Sequence, residues 1–342
     1  MAVSDSCRMT AVTTIRYALL LLLSGGGFIN VASAANASTV AVVQSYSADY
    51  RWDAQYLKAI DDTLGRQHRI ERFELDTKKL PRQSWPDRAN QVLEQLRKLQ
   101  PGVVILGDDN ALSLLGEAVV KLNIPVVFLG VNGGPEQHPI LHHAQVTGIL
   151  ERPFFKKSIR HLRKVLTRRE RFLILMDDSP TMRNAVQETF GDRRQVTVYG
   201  SVLDILLTNS KARWLQAMQR AKSAGYDAVI IGTHHTIRDV RDRYVPPSEL
   251  MATALAQAEV PIFSFWDIFI GPKQAVGGFT VSAYSEGASA ARLAGLILKG
   301  IPAASLSRLQ SLSGEYVYSR TGMERWGLSL STLEASQTRF TD

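Results

Sequence analysis

The chain has 342 residues, 45% of them hydrophobic, and a formal net charge of +8. That length supports one large core or two lobes. Its one cysteine, Cys7, excludes a disulfide framework.

At the N-terminus, Arg8 and Arg16 precede the apolar run Tyr17–Leu23, and small residues follow as far as Ala32-Ser33-Ala34-Ala35. A charged region, an apolar region and an A-x-A site in that order are the marks of a secretory signal. We expect residues 1–35 to be a signal peptide cleaved near Ala34 or Ala35, and the mature chain to be soluble and exported. The apolar run is too short to span a bilayer comfortably, and no later segment has the length and apolarity of a membrane helix. Cys7 lies before the apolar run, so it is not placed for lipid attachment at a mature N-terminus.

Downstream, strands and helices alternate. Val40–Val43 is a buried strand and Asp53–Leu64 a helix with Leu57, Ile60 and Leu64 on one face. Ile70–Leu75 is a weaker strand, Asp87–Gln100 a helix, Val103–Leu106 a strand, Ala111–Leu122 a helix and Pro125–Leu129 a strand. A second series holds helices over Phe154–Leu166, Thr181–Phe190, Lys211–Ser223 and Ser248–Gln257. Its strands are Arg171–Met176, Val196–Tyr199, Asp227–Ile231 and Pro261–Phe265. The basic residues between Lys156 and Arg171 form a solvated helix face. No nucleic-acid motif occurs, and export argues against a nucleic-acid partner.

This alternation predicts an α/β protein with parallel sheets covered by helices on both faces. The two series also resemble each other. Pro101–Asn110 and Gly225–His234 each end a strand in polar residues, and each is followed by a helix and a second apolar strand. We therefore expect two similar doubly wound lobes. Lobe 1 covers 36–147, completed by a helix within 280–305, and lobe 2 covers 148–279. Residues 306–342 make a further crossing and a tail. Repeated crossings form a hinge that closes without unfolding either lobe.

Ligands of open α/β sheets bind beyond the carboxyl ends of the strands. In lobe 1 those ends present Ser45, Tyr46, Asp108, Asp109, Asn110 and Asn132, with Trp52 close by. In lobe 2 they present Asp178, Ser179, Thr181, Thr233, His234, Trp266 and Asp267. Each has a structural alternative. Asp108-Asp109-Asn110 and Asp178-Ser179-Pro180 also suit helix starts, and Trp52 and Trp266 also suit packing. The histidine pairs lack metal-ligand spacing, so no metal and no cofactor is expected. No G-x-S-x-G elbow, P-loop or dinucleotide fingerprint appears.

The pieces Gln44-Ser45-Tyr46, Trp52, Gly107–Ala111, Val127–Asn132, Thr147–Glu151 and Asp227–Thr233 resemble, in order, the exported substrate-binding proteins of ABC transporters, which have the type I periplasmic-binding-protein fold. Extracytoplasmic sensor domains of histidine kinases and diguanylate cyclases are similar. The resemblance spans about residues 38–330. It implies a two-lobed, hinged fold that closes on a small solute and performs no chemistry. The implied partners are a small-molecule ligand, such as an amino acid or related aromatic compound, and an ABC permease. The alternatives are a sensing role beside a membrane kinase or cyclase, and an exported hydrolase. In the first reading Asp109 receives a ligand amine, Thr233 and Asn132 orient polar groups, and Tyr46, Trp52 and Trp266 hold the apolar part.

Overall fold

Strand β1 (Thr39–Gln44) is buried at every position, as a strand is only where its sheet is covered on both faces. The computed structural model, which describes residues 39–167, 171–311 and 314–342, supplies both covers. After β1 come α1 (Arg51–Leu64), β2 (Arg69–Glu74), α2 (Trp85–Leu99), β3 (Val103–Gly107), α3 (Asp108–Val120), β4 (Val126–Val131) and β5 (Val146–Leu150). Next are α4 (Phe155–Val165), β6 (Arg171–Met176), α5 (Pro180–Phe190), β7 (Gln195–Val198), β8 (Ser201–Leu207) and α6 (Lys211–Gln219). Then follow β9 (Ala228–Ile231), α7 (Pro247–Gln257), β10 (Ile262–Ser264), β11 (Gly277–Thr280) and α8 (Ala283–Leu298). The chain ends with β12 (Leu309–Gln310), β13 (Glu315–Tyr318), α9 (Arg320–Arg325), α10 (Thr332–Ser336) and β14 (Thr338–Phe340).

The first sheet has the order β12-β5-β4-β3-β1-β2 and is parallel throughout. The second has the order β10-β9-β6-β8-β7. In the first sheet the strand order reverses between β1 and β3, and in the second between β6 and β9. Both reversals open a crevice at the carboxyl ends. The same backbone bond closes each crevice floor: Ser45 N–H donates to Gly107 O at 3.2 Å, and Asp177 N–H donates to Thr233 O at 2.7 Å.

Side chains alternate across β1. Val40 and Val42 join the cluster containing Tyr56 and Ile60 of α1 and Ala290 and Ala294 of α8, while Ala41 and Val43 join Val92 and Leu96 of α2 and Leu112 and Leu115 of α3. Helices α1 and α8 meet at Gly287, where a Cβ would lie 2.6 Å from Tyr56 O. Only glycine permits that approach.

The chain runs between the two large sheets at residues 151–154, after β5; at 281–282, before α8; and a third time after Ser311, where β12 lies in the first sheet and β13 in the small sheet beside the second. A small sheet, β11-β13-β14, flanks the second sheet on this side.

The structure departs from the sequence reading in one hairpin. β8 was not foreseen, and β7 pairs with it antiparallel, so the second sheet is not wholly parallel. Tyr199 and Gly200 turn the chain with φ of 52° and 84°, the two left-handed residues that a tight hairpin needs. A tyrosine is an unusual first residue there, which hid the turn. The polar end of β9 also leads through residues 232–246 before α7 begins, not directly into a helix. On α4, Lys156, Lys157, Arg160 and Lys164 are exposed. The expected signal peptide lies outside the described residues. Among those residues, no helix is long and apolar enough to cross a membrane.

Candidate functional site

The two crevices face each other and touch directly. Tyr46, just past β1, has its hydroxyl 3.0 Å from Asp108 Oδ1 and 3.0 Å from Thr181 Oγ1 at the start of α5. Asp109, in the first turn of α3, is a wholly internal hub. Its Oδ1 accepts from Gly133 N–H, His138 Nε2 and Asn184 Nδ2, each at 2.8 Å, and its Oδ2 accepts from Asn132 N–H at 3.0 Å. Asn184 sits on α5, so this bond joins α3 to α5, and the Tyr46–Thr181 bond joins the loop after β1 to the same helix. Ser45 Oγ donates to Gly107 O and accepts from Ala111 N–H at 2.7 Å, satisfying a first-turn amide of α3 from outside the helix.

Beside this contact lies a cavity of about 260 Å³, just below the usual range of small-molecule pockets. Tyr46, Ser47, Asp49, Tyr50, Arg51, Lys78 and Lys79 line it from the first sheet's side. His234, His235, Tyr244, Met251 and Phe269 line it from the second. The backbone beyond β2 runs alongside the end of β1: Leu75 N–H donates to Gln44 O, Thr77 N–H to Ser45 O and Asp76 N–H to Tyr46 O. That extension holds the Lys78 ammonium over the rings of Tyr46, at 4.2 Å, and Tyr50, at 4.8 Å. The opposite wall is aromatic. His235 stands edge-on to Tyr50 with centroids 4.6 Å apart, and His234 lies 4.8 Å from Phe269.

Burial sets the charge of this wall. It lowers His234 to about 4, and burial together with the neighbouring His234 pushes His235 well below its ordinary value. Both are neutral at neutral pH. Burial, then Asp108, raises the Tyr46 and Tyr50 phenols. Burial lowers Lys78, and the carboxylates Asp177 and Asp108 oppose that shift. Asp177 itself is held below the usual range although burial opposes it; Lys78 and hydrogen bonds from Ser179, Thr233 and His235 outweigh the burial cost. A second, more open cleft of about 440 Å³ adjoins the cavity at Lys78 and is lined by Asp178, Ser179, Asn209 and Arg238.

Behind the crevices, one hydroxyl ties the three passages together. Ser311 Oγ accepts from Arg152 N–H at 3.0 Å and donates to Glu286 Oε1 at 2.5 Å. Glu286 Oε2 accepts from Gly130 N–H at 3.0 Å. Glu151, on the first passage, accepts from Trp266 Nε1 at 2.7 Å. Burial raises both acids, Glu286 to about 7, and Glu286 adds to the rise at Glu151.

The sequence-derived candidates therefore fall into groups. Tyr46 and His234 line the cavity, and Asp178 and Ser179 line the adjoining cleft. Asp108, Asp109, Asn132 and Thr181 meet at the direct contact between the sheets' helices. Ser45 caps α3, and Asn110 Nδ2 donates to Thr77 Oγ1 at 2.8 Å. Thr233 donates to Asp177 at 2.7 Å. Trp52 is buried with its Nε1 against Gly130. Trp266, just past β10, donates to Glu151 of the first passage, and Asp267 pairs with Arg339 of β14 at 2.8 Å. Sequence reading missed Tyr50, Lys78, His235, Asn184, Glu151 and Glu286. Among the described residues, no group of three or more His, Cys, Asp or Glu is arranged to hold a metal ion.

No family model and no curated protein sequence matches the chain. Solved structures do. An ABC domain from Streptococcus pneumonia in complex with L-Trp is 13% identical, with a TM-score of 0.67 over 88% of this chain and 99% of that one. A substrate-binding protein with adhesive properties from Clostridium difficile, in its ligand-free, open form, is 10% identical, with a TM-score of 0.61 over 89% and 99%. The transcription regulator CcpA of Lactococcus lactis is 13% identical, with a TM-score of 0.55 over 82% and 97%. The chain thus has the type I periplasmic-binding-protein fold. Among the solved structures with that fold are solute-binding proteins and a transcription regulator alike.

Proposed function

We propose that this chain is an exported, periplasmic solute-binding protein that encloses a small organic molecule between its two sheets and delivers it to an ABC importer. The observation that carries the reading is the placement of the cavity. It lies where the carboxyl ends of both sheets converge, beside bonds that join the two halves directly, Tyr46 to Thr181 and Asp109 to Asn184. A solute seated there touches both halves and so binds the closed form better than the open one, which is the condition for ligand-driven closure. We read Tyr46 and His234, with the newly recognised Tyr50 and His235, as contacts to its flat or apolar part. We read the role as binding without chemistry. No serine or lysine of the lining is hydrogen-bonded to a histidine, the kind of pairing that activates a nucleophile.

The test is native mass spectrometry of gently purified protein, followed by X-ray scattering of the stripped protein with and without the released molecule. The expected result is one small molecule per chain and a smaller radius of gyration on its return. Protein that carries no small molecule, and keeps its dimensions when exposed to a metabolite extract, would overturn the reading. Reconstitution with a permease, scoring solute-dependent ATP hydrolysis, tests delivery.

A further inference from the structure

The cavity's charge is lopsided. Its lining carries Arg51, Lys78 and Lys79 against a single carboxylate, Asp49. Asp49 is already committed: Lys79 Nζ reaches its two oxygens at 2.9 and 2.8 Å, and Ser47 Oγ donates to it at 2.5 Å. Arg51 donates to Ile268 O at 2.5 Å and to Gln274 Oε1 at 3.2 Å.

Lys78 is different. Its residue is only 6% exposed, yet among the described residues its ammonium has no hydrogen bond and no ion pair, only the faces of two tyrosines. A buried charge is normally paired. This one borders both the cavity and the adjoining cleft. Asp177, Asp108 and Asp53 favour the ammonium in that order, yet among the described residues none lies within ion-pair distance of it, and Asp177 is saturated by Thr233 Oγ1 at 2.7 Å and by the amides of His235 at 2.8 Å and Thr236 at 3.3 Å.

We propose that Lys78 is the anchor for an anionic solute, a small aromatic or similarly flat carboxylate whose charged end meets the ammonium while its body lies against the aromatic wall of Tyr50, His235 and Phe269. The inference rests on the solute-binding reading and specifies its ligand class. The cavity wall offers no uncommitted carboxylate to receive an ammonium. A carboxylate without a neighbouring amine therefore fits better than a zwitterion, an amine or a neutral polyol.

The experiment uses matched probes on the whole protein. Phenylacetate, benzoate, phenylalanine, phenethylamine and phenethyl alcohol are each titrated by calorimetry and by thermal shift. A carboxylate probe is expected to bind at least about 30-fold more tightly than phenethylamine or phenethyl alcohol, the lower bound for a fully desolvated charge pair. Phenylalanine falls between them. Lys78→Met is expected to lose the carboxylate by the same factor, with no fall in the melting temperature of the unliganded protein, because it removes an unpaired buried charge.

Three results would overturn the assignment: equal binding of phenethylamine and phenylacetate, undiminished carboxylate binding by Lys78→Met, or no binding of any carboxylate probe. The matched wild-type titrations decide the matter even if the variant fails to fold. A neutral or cationic solute that compacts the protein, and does so equally in Lys78→Met, would end the anion assignment while leaving the solute-binding reading intact. Absence of any co-purified solute and of any compaction would end both.

Discussion

Asp109 shows how one side chain can look like a ligand contact and be a structural joint. Four donors fill its two oxygens, and one of them, Asn184 Nδ2, comes from the opposite half. Hydrogen bonds to a carboxylate contribute about 1.5–3 kcal/mol. On the solute-binding reading, Asn184→Ala should therefore weaken this joint and lower solute affinity roughly tenfold, while the unfolding midpoint moves little. Titration with the co-purified solute, with scattering to follow the dimensions, checks this; unchanged affinity would mean that the bond does not report on closure. Glu286 makes a prediction of another kind. Burial raises its folded pKa to about 7, above the roughly 4.3 of an unfolded glutamate. The folded state then holds the proton more tightly, so this group's stabilisation is full below about pH 4 and is lost as pH rises through about 7. Glu286→Gln should flatten that part of the stability profile by up to about 3 kcal/mol. Chemical denaturation of both proteins from pH 4 to 8 would show it, and parallel profiles would refute it.

Among elements, the contact of α1 with α8 is the most exacting. Gly287 lets the two helices close until a Cβ would stand 2.6 Å from Tyr56 O, and backbone cannot yield as a flexible side chain does. Gly287→Val should cost about 1–3 kcal/mol by overpacking, read as a lower denaturant midpoint; an unchanged midpoint would mean that the helices separate freely. The strands divide by how their burial is arranged. β1, β3, β4 and β6 were legible because both faces are covered, so their apolar runs are continuous. β8 alternates buried and half-buried positions and follows an atypical turn at Tyr199-Gly200. β12 and β14 are short edge strands of two and three residues, and no periodicity can develop over such lengths.

For the whole molecule, the passages of the chain between the two large sheets share one hydrogen-bonded junction. Ser311 Oγ links the backbone of the first passage to Glu286 at the end of the second, and itself lies on the third. Ser311→Ala removes both bonds and leaves the buried Glu286 with one donor fewer. Hydrogen exchange at Arg152 and at the start of α8 should quicken by about five- to tenfold, each lost bond contributing about 1 kcal/mol. Exchange in β1 and β6 should stay as it was. Faster exchange throughout would show instead that the substitution unsettles the whole fold.

The alternation of strand and helix, the continuous apolar strands and the polar residues at their carboxyl ends are local patterns. The sequence alone therefore determined the α/β class, most elements and the general placement of a cleft. Which polar tips remain open was decided only by tertiary structure. Ser45, Asp109, Thr233 and Trp266 are consumed by partners 56 to 115 residues away or by neighbouring turns. Lys78, which no pattern singled out, is left without an ion partner among the described residues. Hydrogen-bond saturation is a property of where chains meet, and residues distant in sequence carry no local mark of their meeting.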